Sequence, residues 1–309
     1  MFHFLKNIFF PSCLFFYNAS SLAEPLFEQP FLDNLMKNYS PLEKDLIQED
    51  LRNISELVLR NMNTPKELKP IYLATAGAPG AHKSTILETL MHKEPRFKDL
   101  AYIDPDTRGL RFMINTYYSQ SMNYYEIANA KSFQAAQQRA YDYWRDASNF
   151  IANTLLEKAS ISRFNIGHGT TLTSDKVAIF LHKIKSNGYS PTIVLCHAPD
   201  NIRVQAVAHR AKVQGFYQSS PEDVREKAKL FLQRIPLYFD FADEMLIYWT
   251  DRLFHPVHAA SIRSGKLKVV DTKAYEGFTR YLNKQHNSPN YWQDLLKSKK
   301  IVNSPLEDA

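Results

Sequence analysis

The sequence predicts an α/β fold, a mostly parallel sheet with helices on both faces and extra helices ahead of it. Three observations carry that prediction. Short apolar runs recur at 71–74, 100–103, 164–166, 192–196, 245–249 and 267–270. Stretches with helical spacing separate them, and continuous rather than alternating apolarity marks strands covered on both faces. A glycine-containing turn follows the first run and leads directly into a helical pattern, the local order of a strand–turn–helix unit in a parallel sheet.

The elements follow in order. Residues from about Phe31 to Asn61 read as helical, with Leu46, Leu51, Ile54, Leu57 and Val58 at helical spacing. Ser40-Pro41 is a start signal for that pattern, and Asn63-Thr64-Pro65 ends it. The six apolar runs and their intervening helices come next, and the stretch from about Ser288 is charged and reads as peripheral. There is no internal repeat and no low-complexity tract.

At 309 residues, 44% hydrophobic and 23% charged, the chain has room for one large domain or two small ones. That composition excludes a disordered chain. A formal net charge of +6 favours anionic ligands in general, among them nucleotides, nucleotide sugars, nucleic acid and anionic membrane surfaces. Two cysteines, Cys13 and Cys196, exclude a disulfide framework and a thiolate metal site. Met1 to Phe16 combine Lys6 with a Phe- and Leu-rich run, and Ser21-Leu22-Ala23 follows. This resembles a secretory signal peptide cleaved after Ala23; the other reading is an N-terminal arm. Neither that stretch nor any later one is long enough for a membrane span.

The chemistry concentrates after the first run. Gly77-Ala78-Pro79-Gly80-Ala81-His82-Lys83-Ser84-Thr85 has the spacing G-x-x-x-x-G-K-[ST], with His82 where the second glycine belongs. A loop of this kind points backbone N–H groups and a helix N-terminus at phosphates. Lys83 would neutralise the β- and γ-oxygens of ATP or GTP, and the Ser84 hydroxyl would ligate Mg²⁺. A glycine at position 82 would tolerate backbone angles that a side chain resists. With helical angles there, an imidazole points outward at little cost. The fold class is therefore P-loop NTPase-like.

Several ordered blocks add a resemblance to the zeta-toxin family of kinases, spanning about Pro70 to Thr250. Beside the phosphate loop, Asp104-Pro105-Asp106-Thr107-Arg108 resembles that family's acidic motif after the second strand. Gly167-His168-Gly169-Thr170 stands in place of a Glu-Gly-Thr block. His209-Arg210, a lid-like Gln214-Gly215-Phe216, Ser220-Pro221-Glu222-Asp223 and Phe241-Ala242-Asp243-Glu244 follow. The resemblance implies transfer of the γ-phosphate of ATP or GTP to a hydroxyl of a small substrate such as UDP-N-acetylglucosamine. It divides the chain into a leader (1–23), an N-terminal helical segment (24–66), a kinase domain (67–275) and a peripheral C-terminal segment (276–309).

Residue by residue, the resemblance makes Asp106 the general base, with Asp104 as second choice. A turn or helix-cap role is open for the same Asp-Pro-Asp-Thr. Arg108 and Arg111 are candidate substrate-phosphate ligands, and Asp146 on the following helix is a candidate substrate contact that matches loosely by one turn. Arg210 would stabilise the phosphoryl group in transfer. The lid has no second arginine. His168 replaces a family glutamate and cannot serve it as a metal or hydroxyl ligand in the same way, which puts the acceptor in doubt. Thr170 keeps a hydroxyl there, and a strand-to-helix cap explains it equally well. The tyrosine clusters at 117–118, 124–125 and 141–143 fall where a base could stack, although packing explains them too. The expected partners are a nucleoside triphosphate, a small hydroxyl-bearing substrate and an antitoxin-like protein, with no nucleic acid and no membrane span. Two alternatives stay open: a kinase for another metabolite, antibiotic or nucleic-acid end, and a non-catalytic nucleotide-binding effector. Use of ATP implies action in a cytoplasm; the leader-like N-terminus implies a secreted or translocated protein that acts in the cytosol of another cell.

Overall fold

The computed structural model describes residues 23–65, 69–120, 130–214 and 220–303. The predicted leader lies outside these residues except for Ala23, as do Tyr124, Tyr125 and the lid-like Gly215 to Gln218.

The N-terminal helical segment is two helices, α1 (Gln29–Met36) and α2 (Pro41–Leu59). The break has a local cause. The Ser40 hydroxyl accepts the Glu43 amide, the Glu43 carboxylate accepts the Ser40 amide at 2.8 Å, and Pro41 takes the first helical position. That capping box fixes a helix start at Pro41. Ile47, Leu51, Ile54 and Val58 form the buried seam of α2, and Leu57 is 56% exposed. Asp50 is buried in the seam. Its carboxylate accepts the Asn115 amide at 3.0 Å and the Thr116 hydroxyl at 2.7 Å, tying α2 to the segment after the second strand.

Beyond them an eight-stranded sheet forms the core: β1 (Ile71–Ala76), β2 (Ala101–Ile103), β3 (Ile166–His168), β4 (Ser190–His197), β5 (Glu244–Trp249), β6 (Val257–Arg263), β7 (Lys266–Val269) and β8 (Val302–Asn303). Its spatial order is β2-β3-β1-β4-β5-β6-β7-β8. The first five are mutually parallel, β6 and β7 turn back antiparallel, and β8 joins β7 in parallel. Helices α3 (Lys83–Lys93), α4 (Ala130–Ile161), α5 (Val177–Ser186), α6 (Asp200–Gln214), α7 (Pro221–Phe241), α8 (Thr272–Gln285) and α9 (Tyr291–Ser298) connect and cover the strands. The chain leaves β1 toward β2 and leaves β4 toward β5, so the connections diverge between neighbouring strands. Such a switch point opens a crevice at the C-terminal strand ends.

Two expectations are corrected. Strand β6 went unread because His258, Ala259, Ala260 and Ser261 supply little apolar signal, and pairing with β5 supplies what composition does not. The C-terminal stretch is not peripheral: Trp292 is fully buried, its indole N–H donates to the Tyr275 hydroxyl at 2.8 Å, and it meets Phe278 edge-on.

Candidate functional site

The phosphate loop is shaped by two close approaches. Gly77 has φ 153°, and a Cβ there would lie 2.2 Å from the Cys196 carbonyl oxygen of β4. Gly80 has φ 78°, and a Cβ there would lie 2.2 Å from the Arg203 carbonyl oxygen of α6. Both positions are therefore closed to side chains, and the loop is pressed against the first turn of α6. Ala78 and Ala81 are buried beneath it. The leading amides of α3 have no carbonyl partner one turn back, so the helix offers them to a ligand.

His82 is the N-cap of α3 with φ 57° and ψ 26°. It adopts left-handed rather than helical angles and points inward, at 7% exposure, which corrects both parts of the sequence reading. Its ring packs edge-on against Phe254 at 5.5 Å, and Phe254 meets His209 at 4.8 Å. Packing on Phe254 accompanies a backbone conformation that glycine adopts more readily. Burial, reinforced by the Arg210 and Lys83 charges, lowers the His82 pKa to about 4.

The loop opens into a cavity of about 590 Å³ lined by Pro79, Gly80, His82, Lys83 and Ser84, by Asp104 and Asp106 after β2, by His168 and Thr170 after β3, and by Arg210 of α6. The structure thus gathers most of the predicted residues around one space. Lys83 donates to the Ala78 carbonyl at 2.9 Å. Burial lowers its pKa to about 8, against the raising influence of Cys196, Asp104 and Asp106. Thr85 is exposed on α3 and lies outside the lining.

The two aspartates are placed differently. Strand β2 ends at Ile103, and Asp104 turns its carboxylate onto the backbone, accepting the Asp106 and Thr107 amides at 2.7 and 2.8 Å. Asp104 is therefore the cap. It is buried, and burial together with the Asp106 charge raises its pKa. Asp106 is left half-buried in the cavity wall, paired with the Arg145 guanidinium of α4.

Arg145 was not read from the sequence. The nearby Asp146 was, but it is exposed and lies outside the lining. The helical phase explains the correction. Ala140, Trp144, Ala147, Ile151 and Leu155 form the buried stripe of α4, which turns Arg145, Asn149 and Asn153 to the cavity on its flank. Counting that stripe would have chosen Arg145 over its neighbour. Arg108 also lies outside the lining. Its guanidinium sits over the Tyr102 and Phe112 rings at 5.3 and 5.8 Å.

His168 faces the cavity with Nδ1 hydrogen-bonded to the Tyr72 hydroxyl at 2.7 Å. Burial lowers its pKa to about 3, so it is neutral at physiological pH. Thr170 lines the cavity in a local turn rather than capping a helix: its hydroxyl accepts the Leu172 amide at 3.2 Å, the Thr75 hydroxyl donates to its carbonyl at 2.9 Å, and α5 begins only at Val177.

Three imidazoles, those of His82, His168 and His197, are held neutral, with burial the leading cause in each case. In the unfolded chain they take up protons below pH ~6.5. The folded protein is therefore expected to lose about 1.4 kcal/mol per pH unit per histidine as pH falls from 6.5 toward 4. Urea unfolding midpoints at pH 7, 6 and 5 measure this, and a flat profile would contradict the burial of these rings. No helix among the described residues is long and apolar enough to cross a membrane.

The sequence comparisons fit this geometry. The family model described as zeta toxin matches residues 55–234. Among solved structures, the crystal structure of AvrRxo1-ORF1:-ORF2 with ATP superposes with TM-score 0.55 at 15% identity, covering 93% of this chain and 98% of that one. A structure from the PezAT chromosomal toxin-antitoxin system of Streptococcus pneumoniae gives TM-score 0.51 at 15% identity, covering 85% and 99%. At that identity the likeness is one of fold. No curated protein matches the sequence. The matched stretch covers more than half of the chain and holds the phosphate loop, both aspartates, His168 and Arg210, and the chain belongs to the zeta toxin family, on a kinase-like P-loop fold.

Proposed function

We propose that the protein is an ATP- or GTP-dependent phosphotransferase that moves the γ-phosphate onto a hydroxyl of a small acceptor. One observation supports it above the others. Lys83 and Asp106, the cation for a triphosphate and the carboxylate for a hydroxyl proton, line a single cavity from two strand ends of one sheet.

The loop amides and the α3 N-terminus hold the β- and γ-phosphates, with Lys83 against them. Ser84, whose hydroxyl-bearing side chain lines the cavity next to the lysine, suits Mg²⁺ in the manner of P-loop sites, and the ion when bound offsets phosphate charge. Asp106, oriented by Arg145, accepts the proton of the acceptor hydroxyl. That oxygen bonds to the γ-phosphorus as the bond to the bridging oxygen breaks, and the nucleoside diphosphate leaves. Arg210 stabilises the charge in transfer. Such catalysis is positioning plus electrostatics. The need for ATP implies action in a cytoplasm, and an antitoxin-like protein is the expected macromolecular partner.

The test is label transfer from γ-labelled ATP by the purified chain, first to UDP-N-acetylglucosamine and then to a panel of small hydroxyl compounds. A labelled acceptor is the expected result. Absence of both transfer and ATP turnover across the whole panel would overturn the proposal.

A further inference from the structure

The cavity does not end at the catalytic groups. It runs on from His168 to a second wall built by the N-terminal arm, where Phe27, Phe31 and Leu35 line it at four-residue spacing. Across from them, Lys176, Ile179, Phe180 and Lys183 form one stripe of α5 and of the residue preceding it. The rings make a continuous ladder. His168 meets Phe180 at 5.9 Å, Phe180 stacks on Phe27 at 5.6 Å, Phe27 stacks on Phe31 at 5.9 Å, and the Lys176 ammonium sits over Phe31 at 5.6 Å. Two lysines thus stand at the outer part of this wall, with one carboxylate, Glu28, also in the lining.

The arm is fastened where it crosses the cavity. A single carboxylate oxygen of Glu157 on α4 accepts the Leu26 and Phe27 amides at 2.9 and 3.2 Å. Asn187 accepts the Glu24 amide and donates to the Glu24 carbonyl, both at 2.8 Å, and Lys183 donates to the Pro25 carbonyl at 2.8 Å. Residues 24–36 lie outside the stretch matched by the family model, whereas Lys176, Phe180 and Lys183 lie within it.

We propose that the arm forms an outer acceptor subsite, with Phe27 and Phe31 as specificity-determining residues, and that it takes an acceptor carrying a flat aromatic ring beside an anionic group. The rings supply apolar faces and edges for a planar group. The ammonium groups of Lys176 and Lys183 supply the complementary charge. The polar inner part, with Asn149, Asn153 and Asp106, receives the hydroxyl-bearing portion. The inference rests on the phosphotransferase reading for its word acceptor.

Phenyl phosphate is the probe, titrated calorimetrically into the full chain with the donor site saturated by a non-hydrolysable ATP analogue. Phenyl phosphate is expected to bind at one site, on the order of tenfold more tightly than inorganic phosphate. Phe27→Ala with Phe31→Ala is expected to remove that preference, while affinity for the ATP analogue stays within about twofold. Lys176→Gln, an exposed change that leaves the rings in place, is expected to weaken phenyl phosphate alone. Equal binding of the two phosphates by the unmodified chain, or unchanged phenyl phosphate binding in the ring variants, would overturn the subsite. Thermal melting separates a variant that fails to fold. Failure of the unmodified chain to bind the ATP analogue would instead strike the phosphotransferase reading, and the phenyl phosphate titration can still be read without the analogue.

Discussion

Replacing Lys83 by alanine is expected to lower turnover of the nucleotide by a factor on the order of 10³. The ammonium is held at the mouth of β1 by the Ala78 carbonyl, and burial brings its pKa to about 8. That environment is costly for a cation without an anion beside it, and a triphosphate supplies the missing charge. Arginine at the same place is not expected to rescue activity, because a forked guanidinium does not fit where a point charge on a flexible stem sits. A second consequence follows from the same shift. Below pH ~8 Lys83 is protonated in the free protein; above it the charge is lost, so nucleotide affinity is expected to fall as pH rises through that value. Steady-state turnover and nucleotide titrations at pH 7 and 9 measure both. An alanine variant with unimpaired turnover would remove the loop from the mechanism.

The second large effect is expected at Asp106. Asp106→Asn keeps the shape of the side chain and removes its ability to take a proton, so kcat is expected to drop 10²–10⁴-fold by rough estimate. Nucleotide affinity should be unchanged, since the phosphate-binding groups are elsewhere. Asp104 provides the contrast. Its carboxylate is spent on the Asp106 and Thr107 amides, so Asp104→Ala is expected to cost about 1 kcal/mol in stability and to loosen the turn. Comparing kcat with the melting temperature in the two variants assigns the roles. Should Asp106→Asn turn over normally while Asp104→Asn does not, the two would have to be exchanged.

The fold was legible where local chemistry and tertiary structure agree. The turn from Gly77 to Ser84 announces itself because two of its positions tolerate no side chain, a constraint of steric origin that shows directly as glycine. The buried strands showed as continuous apolarity because both faces are covered. What stayed hidden was set by contacts distant in sequence. The left-handed conformation of His82 accompanies packing on Phe254, 172 positions later, which no local pattern reveals. Arg145 was missed in favour of Asp146 because motif alignment ignores helical phase, although the apolar stripe of α4 contained the answer. The outer wall of the cavity was the least legible part. Nothing local singles out Phe27 or Phe31; the fold stacks Phe27 on Phe180 and Phe31 on Phe27.

The contact between Gly80 and the Arg203 backbone has a mechanical meaning. Arg210 lies seven residues further along the same helix, about 10 Å at a rise of 1.5 Å per residue. On the phosphotransferase reading the helix would act as a lever whose fulcrum is the phosphate loop. Tilting it by only a few degrees would carry the guanidinium by about half an ångström to an ångström, and the same tilt would bear on Gly80. Seating of the donor and delivery of the arginine would then be one movement, and any side chain larger than hydrogen at position 80, which would meet the Arg203 carbonyl oxygen, would jam it.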